Sequence, residues 1–565
     1  MKLIIKEYLS SLKERGELDA ILPDLLSQMG LNVLSSPGRG TRQNGVDVAA
    51  VGSLNGNPEK LHLFSIKAGD LTRQNWNGQS VQDLRPSLEE ILDNYILNSI
   101  PVEHRSKDIV IYIVIGGEVK EQVRGDVEGY KSRNTDKYPK VKFDTWNGDK
   151  LAEYIQLYFL REEILSDDDR SLLRKSLAML DEPEVSFKHF KLLIGKLFDI
   201  QEGKKSESIT VLRQMSICLW ILVAWSRQEA NIESSYLAAE YTLLRAWEIY
   251  KGFLNKKSKK TLQAKNTFFS IFDTYFQISN EYLDFNILPY AEIQDGISVA
   301  IRGLCRLDTN EKLFDLIGRL GIAALWSLWI CQINSEKHVI ENARNYQRKY
   351  DRTIRLLVAN NSELLLPAKD ERAIDITIAA FSIIITSGDK EFIKDWFFNI
   401  AERSKNSYQA HSKYPTVLRS YQELLEHPKN QTEEYRKSVT SGSILYPTIA
   451  LWAALLEDEK TYNKIFDLKK LMPHCTFQIW FPDESSENCY FSNRDMHGAA
   501  LLELDLSSQS KLKEQVFKEC DETQYFEKLS AVENGWWPLI ILASRHYRMP
   551  PPVQILNGLR ETDSK

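Results

Sequence analysis

The sequence predicts an α/β domain, with a mixed sheet flanked by helices, followed by a large and mostly α-helical C-terminal region. Strand-like and helix-like segments alternate over residues 1–165. Within them, residues 109–115 (IVIYIVI) are an uninterrupted, mostly β-branched run, which is typical of a strand buried on both faces. From about residue 166 onward, long amphipathic helical patterns dominate and strand signals are few. Together these three observations favour an α/β sandwich joined to a helical array.

The elements of the first part follow from periodicity and turn-forming residues. Two helical segments open the chain, Lys2–Arg15 and Glu17–Met29, with Pro23 as a kink position in the second. Three strands are then expected, at Leu31–Leu34, Val46–Val51 and Leu61–Ala68. The remaining elements are expected to be a helix at Ser80–Leu97, a strand at Ile109–Ile115, a helix at Glu118–Lys131, a strand at Val141–Thr145 and a helix at Gly148–Leu160. In the helix expected at Ser80–Leu97, Pro86 is a residue that can move the start.

Length and composition predict a folded protein of several domains. At 565 residues the chain is too long for one core, and its 43% hydrophobic and 27% charged residues exclude wholesale disorder. We expect a domain at 1–165, a helical linker region at 166–208, an α-helical array at 209–470 and a C-terminal helical or irregular region at 471–565.

Charge, cysteines and apolar runs narrow the class of protein. The net charge of −6 gives no global sign of nucleic-acid binding, although a local basic groove is enough to engage phosphates. The six cysteines include no CxxC pair, which excludes a zinc ribbon and favours reduced thiols in the cytoplasm. The apolar stretches 215–225, 320–333 and 374–386 are shorter than the roughly 18–20 residues of a membrane span, so we expect buried helices of a helical domain and no membrane insertion.

One group of residues has the composition of a metal-dependent hydrolytic site. Ser65 and Lys67 are two apart on a predicted strand and therefore point to the same face. Asp47 lies on the preceding strand and comes near them if the two strands pair, with Asp19 upstream as a second acid. A carboxylate suits Mg²⁺, which activates water and offsets charge on a phosphate, and a lysine can orient that water.

These segments resemble the PD-(D/E)XK nuclease superfamily, particularly its Mrr-like branch and the N-terminal nuclease domains of bacterial antiphage-defence effectors. The spacing of Gly16, Asp19 and Gly30 matches an early glycine, a helical acid and a glycine before a strand. Gly45-Val46-Asp47 matches the Gly-(Val/Ile)-Asp motif, and Phe64-Ser65-Ile66-Lys67 matches the lysine strand. The segments 67–73, 87–91 and 146–151 are also similar, so the resemblance covers roughly residues 10–165.

The resemblance implies a restriction-endonuclease-like fold that cleaves DNA with Mg²⁺ or Mn²⁺. In that reading Asp47, Asp19 and the carbonyl of Ile66 are metal ligands, and Lys67 assists the attacking water. Ser65 departs from the usual Glu, Asp or Gln and brings no charge, so metal affinity falls unless another acid such as Asp70 compensates.

Three arginines are candidate contacts to DNA phosphates. Arg39 and Arg42 lie in the glycine-rich loop 35–45, and Arg73 follows the lysine strand. Arginines on loops suit contacts to a nucleic-acid backbone, but a solvated polar loop explains the first two equally well.

The resulting expectation is a cytoplasmic DNA endonuclease effector of bacterial antiphage defence. Its helical region would sense a trigger, bind a partner protein or drive self-assembly. Two alternatives stay open: a catalytically inactive nucleic-acid-binding module, motivated by Ser65, and a protein-interaction scaffold. Taken singly, Asp47 as a loop cap, Lys67 as a solvated lysine and Asp19 as a first-turn residue have structural explanations as well.

Overall fold

The computed structural model describes most of the chain in two compact units, residues 1–278 and 279–565. The described residues are 5–6, 9–10, 12, 14, 18–35, 44–54, 56, 58–78, 80, 83–158, 167–202, 208–254, 256, 258–301, 305–429, 432–491 and 498–560. The predicted divisions after residues 165 and 208 fall inside the first unit and the one after 470 inside the second, and they stay predictions.

The first unit begins with alternating strands and helices. Residues 5, 6, 9 and 10 are helical. The elements that follow are α1 Asp19–Gln28, β1 Asn32–Ser35, β2 Val48–Gly52, β3 Lys60–Lys67, α2 Arg73–Asn77, α3 Leu84–Glu90, β4 Ile109–Ile115, α4 Glu121–Lys137, β5 Val141–Trp146 and α5 Gly148–Tyr158. The helical path of α3 continues through a π-helical turn at Ile91–Tyr95 to Ile96–Asn98.

The five strands form one mixed sheet in the order β1-β2-β3-β4-β5. β1–β2 and β2–β3 are antiparallel, whereas β3–β4 and β4–β5 are parallel. The two parallel connections each contain a helix, as a crossover between parallel strands requires. The predicted mixed sheet flanked by helices, with a mostly helical remainder, is therefore confirmed.

Both faces of the sheet are covered, which explains why β4 is apolar throughout. One face presents alternate residues of β3 and β4, such as Leu63 and Ile111, to apolar side chains of α3 and α4. The other face carries an aromatic cluster, in which Phe64 stacks on Tyr112 with ring centroids 4.6 Å apart and Tyr112 meets Trp146 edge-on with centroids 4.9 Å apart. This burial fixes the register of β3, because a one-residue slip would move Leu63 off the core face.

Two helix boundaries differ from the prediction for a local reason. The helix expected from Glu118 begins at Glu121, because the main chain of 118–120 bonds to Leu71: Leu71 N–H donates to Glu118 O at 2.9 Å, and Lys120 N–H donates to Leu71 O at 3.1 Å. The helix expected from Ser80 begins at Leu84, so Pro86 occupies its first turn, where a missing N–H costs little. The short helix α2 was not expected from periodicity.

Helices complete the first unit. They are α6 Asp167–Ala178, α7 Pro183–Glu202, α8 Ser208–Gln228, α9 Glu233–Tyr250 and α10 Lys259–Asn286, in which the division between the units falls. Helix α7 packs against α6 and α9, and α8 packs against α9.

The second unit is mostly helical, with two small two-stranded sheets, β6–β7 and β8–β9. Among its long helices, α13 packs against α14 and α15, and α16 packs against α20. Its elements are α11 Leu288–Ala291, α12 Gly296–Ala300, α13 Arg306–Ile333, α14 Lys337–Asn360, α15 Ala373–Thr386, α16 Lys390–Gln409, α17 Tyr421–Glu426, α18 Glu433–Val439, β6 Gly442–Ser443, α19 Leu445–Leu455, α20 Glu459–Leu471, β7 Thr476–Phe477, β8 Ile479–Phe481, α21 Ser486–Phe491, β9 Ala499–Leu501, α22 Gln509–Glu522, α23 Tyr525–Lys528, α24 Ser530–Glu533, α25 Pro538–His546 and α26 Asn557–Arg560.

Two helices are long and apolar enough to cross a membrane by length and composition, α8 and α13. In their most apolar stretches, 83% and 72% of the residues are buried inside the protein. A helix that is apolar on all sides and covered by its neighbours is a core helix. Both are therefore consistent with the expected soluble protein.

Candidate active site

Asp47 lies one residue before β2 and continues the pairing of that strand with β3. Its backbone N–H donates to the carbonyl of Phe64 at 2.9 Å. Its side-chain Oδ2 accepts a hydrogen bond from the backbone N–H of Ile66 at 2.7 Å. A carboxylate oxygen, rather than a main-chain carbonyl, therefore satisfies the Ile66 amide, and this bond fixes the carboxylate beside the end of β3.

The regular pairing of β2 with β3 changes at Asp47. Ala49 pairs with Leu63, and Val48 pairs with Phe64. The Asp47 N–H also bonds to Phe64, so Asp47 and Val48 lie opposite the same residue of β3, as in a β-bulge. The Lys67 ammonium is close enough to lower the pKa of Asp47, so the structure brings together the aspartate and the lysine that the sequence analysis paired.

Lys67 forms an ion pair with a residue that the sequence analysis did not select. Its Nζ is 3.1 Å from Oε1 and 3.1 Å from Oε2 of Glu14. The side chains of Lys67 and Glu14 are 15% and 33% exposed, so the pair is sheltered but reachable from solvent. An ammonium group held between two carboxylate oxygens has a fixed position at the carboxyl end of β3.

The charges around Asp47 act on its pKa in both directions. Burial raises the pKa of Asp47 to about 6, and the negative charges of Glu14 and Asp19 contribute to this increase. The Ile66 N–H and the Lys67 ammonium oppose it. A divalent cation beside Asp47 would relieve the repulsion that these acids exert on its carboxylate.

The donor chemistry of this cluster fits a hard cation that keeps part of its water shell. The second oxygen of Asp47, Oδ1, forms no hydrogen bond with any described residue. Among the described residues, no three carboxylate, imidazole or thiolate groups converge as a closed metal cage. Mg²⁺ is commonly held by one or two carboxylates together with several waters, so the absence of a cage is compatible with it.

Ser65 is buried, with 1% of its surface exposed. It lies between Phe64 and Ile66 on β3 and is level with Ile113 in the parallel β3–β4 register. At this depth a carboxylate would lose hydration, whereas a hydroxyl costs less to bury. Two residues further along β3, Lys67 contacts the carboxylate of Glu14 from the opening helical segment.

Helix α1 carries Asp19 in its first turn and is tied to the helices that follow the sheet. Asp24, on the same helix, accepts a hydrogen bond from Thr267 at 3.2 Å and lies 3.6 Å from the guanidinium of Arg213. Gln28 donates to Thr210 at 3.3 Å. Asp24 is partly buried, and its desolvation raises its pKa despite the Arg213 charge. These contacts to α8 and α10 position the acidic end of α1.

Asp70, named above as a compensating acid, is already engaged elsewhere. Its Oδ1 accepts a hydrogen bond from the Glu118 N–H at 2.8 Å, and its Oδ2 lies 2.7 Å from the Lys120 ammonium. The Lys120 hydrogen bond is the main cause that lowers the pKa of Asp70. Asp70 therefore fastens the loop after β3 to the loop after β4.

Glycines allow the loops that follow β3, β4 and β5 to approach one another closely. Gly117 N–H donates to Gly69 O at 2.8 Å, and Gly148 N–H donates to Gly117 O at 2.8 Å. A Cβ on Gly148 would lie 2.3 Å from the carbonyl oxygen of Gly116. The loops at the carboxyl ends of β3, β4 and β5 therefore touch through their backbones, which only glycine allows.

The three arginines predicted to contact DNA are only partly accounted for. Arg73 is the first residue of α2 and is exposed. Its guanidinium has no ion pair among the described residues. Arg39 and Arg42 lie outside the described residues, as does Gly16.

Glu14 was missed because its partner is 53 positions away in the sequence. The opening helix contains several acids, and spacing alone selected Asp19. The pattern that distinguishes Glu14 is three-dimensional: it lies opposite the lysine at the end of β3. Its position in the opening helical segment, five residues before Asp19, was the only available signal.

Comparison of the chain with family models, curated proteins and solved structures found no match.

Proposed function

We propose that the N-terminal domain is a metal-dependent DNA endonuclease of the PD-(D/E)XK type. The observation that carries this proposal is the meeting of Asp47 and Lys67 at the end of β3, with Glu14 on the lysine. A carboxylate for the cation and a lysine for the water are the two parts that phosphodiester hydrolysis needs. The mixed sheet flanked by helices, which is the architecture that the resemblance implies, supports it.

Asp47, Asp19 and the Ile66 carbonyl are the ligands that the resemblance implies for Mg²⁺ or Mn²⁺. The bound cation supplies Lewis-acid activation of water and offsets charge on the scissile phosphate. Lys67 orients the attacking water and stabilises the negative charge that develops on it. Glu14 keeps the lysine ammonium in place, and Oδ1 of Asp47, which bonds to no described residue, would be available to hold the cation.

The proposal extends to substrate and setting. Arg73 contacts the DNA backbone, and so do Arg39 and Arg42 of the loop 35–45. The helical region binds a partner protein or a second copy and so restrains the nuclease, because unrestrained cleavage would destroy the cell's own DNA. A cytoplasmic effector of bacterial antiphage defence fits these parts.

Supercoiled plasmid incubated with the full chain tests the chemistry. We expect nicking or linearisation with Mg²⁺ or Mn²⁺ and none with EDTA. Lys67→Ala and Asp47→Ala should each lower the rate by about 10²–10³-fold, because each removes a preorganised charge from the reacting centre. Lys60→Ala is the matched control, since Lys60 lies at the opposite end of the same strand.

The outcomes separate the proposal from its rivals. Cleavage that survives both substitutions would show that other residues do the chemistry. Mn²⁺ binding by calorimetry provides a readout that does not depend on the activating trigger. A chain that binds DNA, takes up no Mn²⁺ and never cleaves would be the inactive nucleic-acid-binding module that Ser65 suggests.

The affinity for Mn²⁺ should depend on pH through Asp47. Because burial raises the pKa of this carboxyl to about 6, it is mainly ionised at pH 7 and increasingly protonated below pH 6. Protons then compete with the cation, so affinity should fall by up to about tenfold per pH unit below pH 6.

The same pKa shift has an opposite effect on the metal-free fold. The folded state holds the proton more tightly than the unfolded chain, so Asp47 favours folding more as the pH falls from 6 towards 4.

Calorimetric titration with Mn²⁺ from pH 5 to 8 measures how the metal affinity depends on pH. A flat profile, or the same profile in Asp47→Asn, would exclude Asp47 as the ligand.

A further inference from the structure

The second unit contains a cavity of about 650 Å³. It lies beside the short sheets β6–β7 and β8–β9, and the segments 370–371, 416–419, 441–444 and 548–552 complete its walls. Cavities of roughly 300–1,000 Å³ are the size of small-molecule sites. Nothing in the proposed nuclease chemistry uses this part of the chain.

Hydrogen bonds between its walls give the cavity a preformed shape. Asp370 N–H donates to the carbonyl of Thr416 at 2.8 Å, and the Asp370 carboxylate accepts from the Ile444 N–H at 2.7 Å and from the Ser443 hydroxyl. Gln478 N–H donates to the carbonyl of Ser443 at 2.9 Å. Four separate segments of chain are thereby fixed around one space, which lowers the ordering cost of binding.

Much of the cavity wall is apolar and accessible. Trp480 and Phe481 of β8 line it together with Val417 and Leu502. Val417 is 39% exposed and Leu502 is 51% exposed, although side chains of this kind are usually covered. The wall therefore suits a ligand with a flat apolar body.

The charged lining residues differ in whether their charge is already used. The Asp370 carboxylate is saturated by hydrogen bonds from its neighbours. The Glu371 carboxylate lies 3.6 Å from the guanidinium of Arg548, whose Nη2 also bonds Asp375 at 3.0 Å. Arg419 is exposed and has no ion pair or hydrogen bond to any described residue. The unused charge of the cavity is thus positive.

We infer that this cavity binds a small organic anion with a flat, apolar body. The apolar wall around Trp480 takes the body, and the Arg419 guanidinium pairs with the anionic group. Charge-assisted hydrogen bonds from arginine to an oxyanion are strong and directional, so the anionic group sets the orientation of the ligand. The site is independent of the proposed nuclease activity.

Two dyes that differ in one group test the inference on the full chain. 8-Anilinonaphthalene-1-sulfonate has the flat body and the anion, whereas N-phenyl-1-naphthylamine has the same body without the sulfonate. Fluorescence titration should give saturable binding of one sulfonate dye per chain, about five- to tenfold tighter than the uncharged dye. Arg419→Gln should abolish that difference and leave the uncharged dye unaffected.

Two further variants make the result specific. Val417→Ser should weaken both dyes, since it removes apolar contact without changing charge. Arg403→Gln, at an exposed arginine elsewhere in the same unit, should change neither. Equal affinity for the two dyes, or unchanged sulfonate binding in Arg419→Gln, would overturn the inference. Thermal melting of each variant confirms that the fold is intact.

Discussion

Replacing Asp375 with alanine is expected to destabilise the second unit by on the order of 3–5 kcal/mol. This aspartate is fully buried near the start of α15. One of its oxygens is 2.9 Å from Arg372 Nη1 and 3.0 Å from Arg548 Nη2, and the other is 3.7 Å from Arg545 Nε. Without the carboxylate, three guanidinium groups would repel one another inside a region that water reaches poorly.

Hydrogen exchange of α13 and α15 in the full chain measures this effect. Protection in both helices should fall sharply in Asp375→Ala, and the thermal midpoint should drop. Asp375→Asn should be intermediate, because an amide keeps part of the hydrogen bonding but removes the charge. Asp395→Ala, at an exposed aspartate on α16, is the control and should change little. Unchanged protection in Asp375→Ala would mean that the three arginines do not depend on it.

The ionic network explains why α13 and α15 pack so closely. A Cβ on Gly318 of α13 would lie 2.3 Å from Oδ1 of Asp375. One turn away, Asp315 is 2.7 Å from Arg319 and also pairs with Arg545 of α25. Acids and arginines alternate through the helix contacts, so each buried charge has an opposite neighbour, as low-dielectric surroundings require.

This network lay beyond sequence reasoning, although the helices that carry it did not. The apolar runs at 320–333 and 374–386 predicted core helices, and α13 and α15 contain them. Asp315 and Arg545, however, are 230 positions apart. A periodic pattern reports which face of a helix is buried but carries no information about which distant charge meets it.

The sheet shows the same division between local and long-range information. β4 begins and ends where its apolar run does, because every side chain of a strand that is buried on both faces lies in the core and is therefore apolar. The pairing of β2 with β3 followed from the short loop between them, and with it the meeting of Asp47 and Lys67. Glu14 comes from a separate helical segment, and only the position of that segment beside the end of β3 reveals it.

Replacing Gly45, the glycine before Val46-Asp47, with alanine is expected to cause the second large loss of stability. Gly45 has a φ of +79°, and a Cβ there would lie 2.1 Å from the carbonyl oxygen and 2.9 Å from the carbonyl carbon of Ser87 in α3. Gly45→Ala therefore combines left-handed strain of about 1–2 kcal/mol with overpacking against rigid backbone of about 1–3 kcal/mol. We expect a loss of about 2–5 kcal/mol, with movement of the loop that positions Asp47.

Gly30→Ala separates the two causes. Gly30 has a φ of +89°, but no atom lies within 4 Å of where its Cβ would be, so this variant should show only the strain. Chemical denaturation and Mn²⁺ calorimetry of both variants should give a larger stability loss for Gly45→Ala and a metal-affinity loss in that variant alone. Equal stability losses would mean that α3 yields to the new methyl group. Undiminished Mn²⁺ binding by a folded Gly45→Ala chain would mean that the position of Asp47 does not depend on this contact.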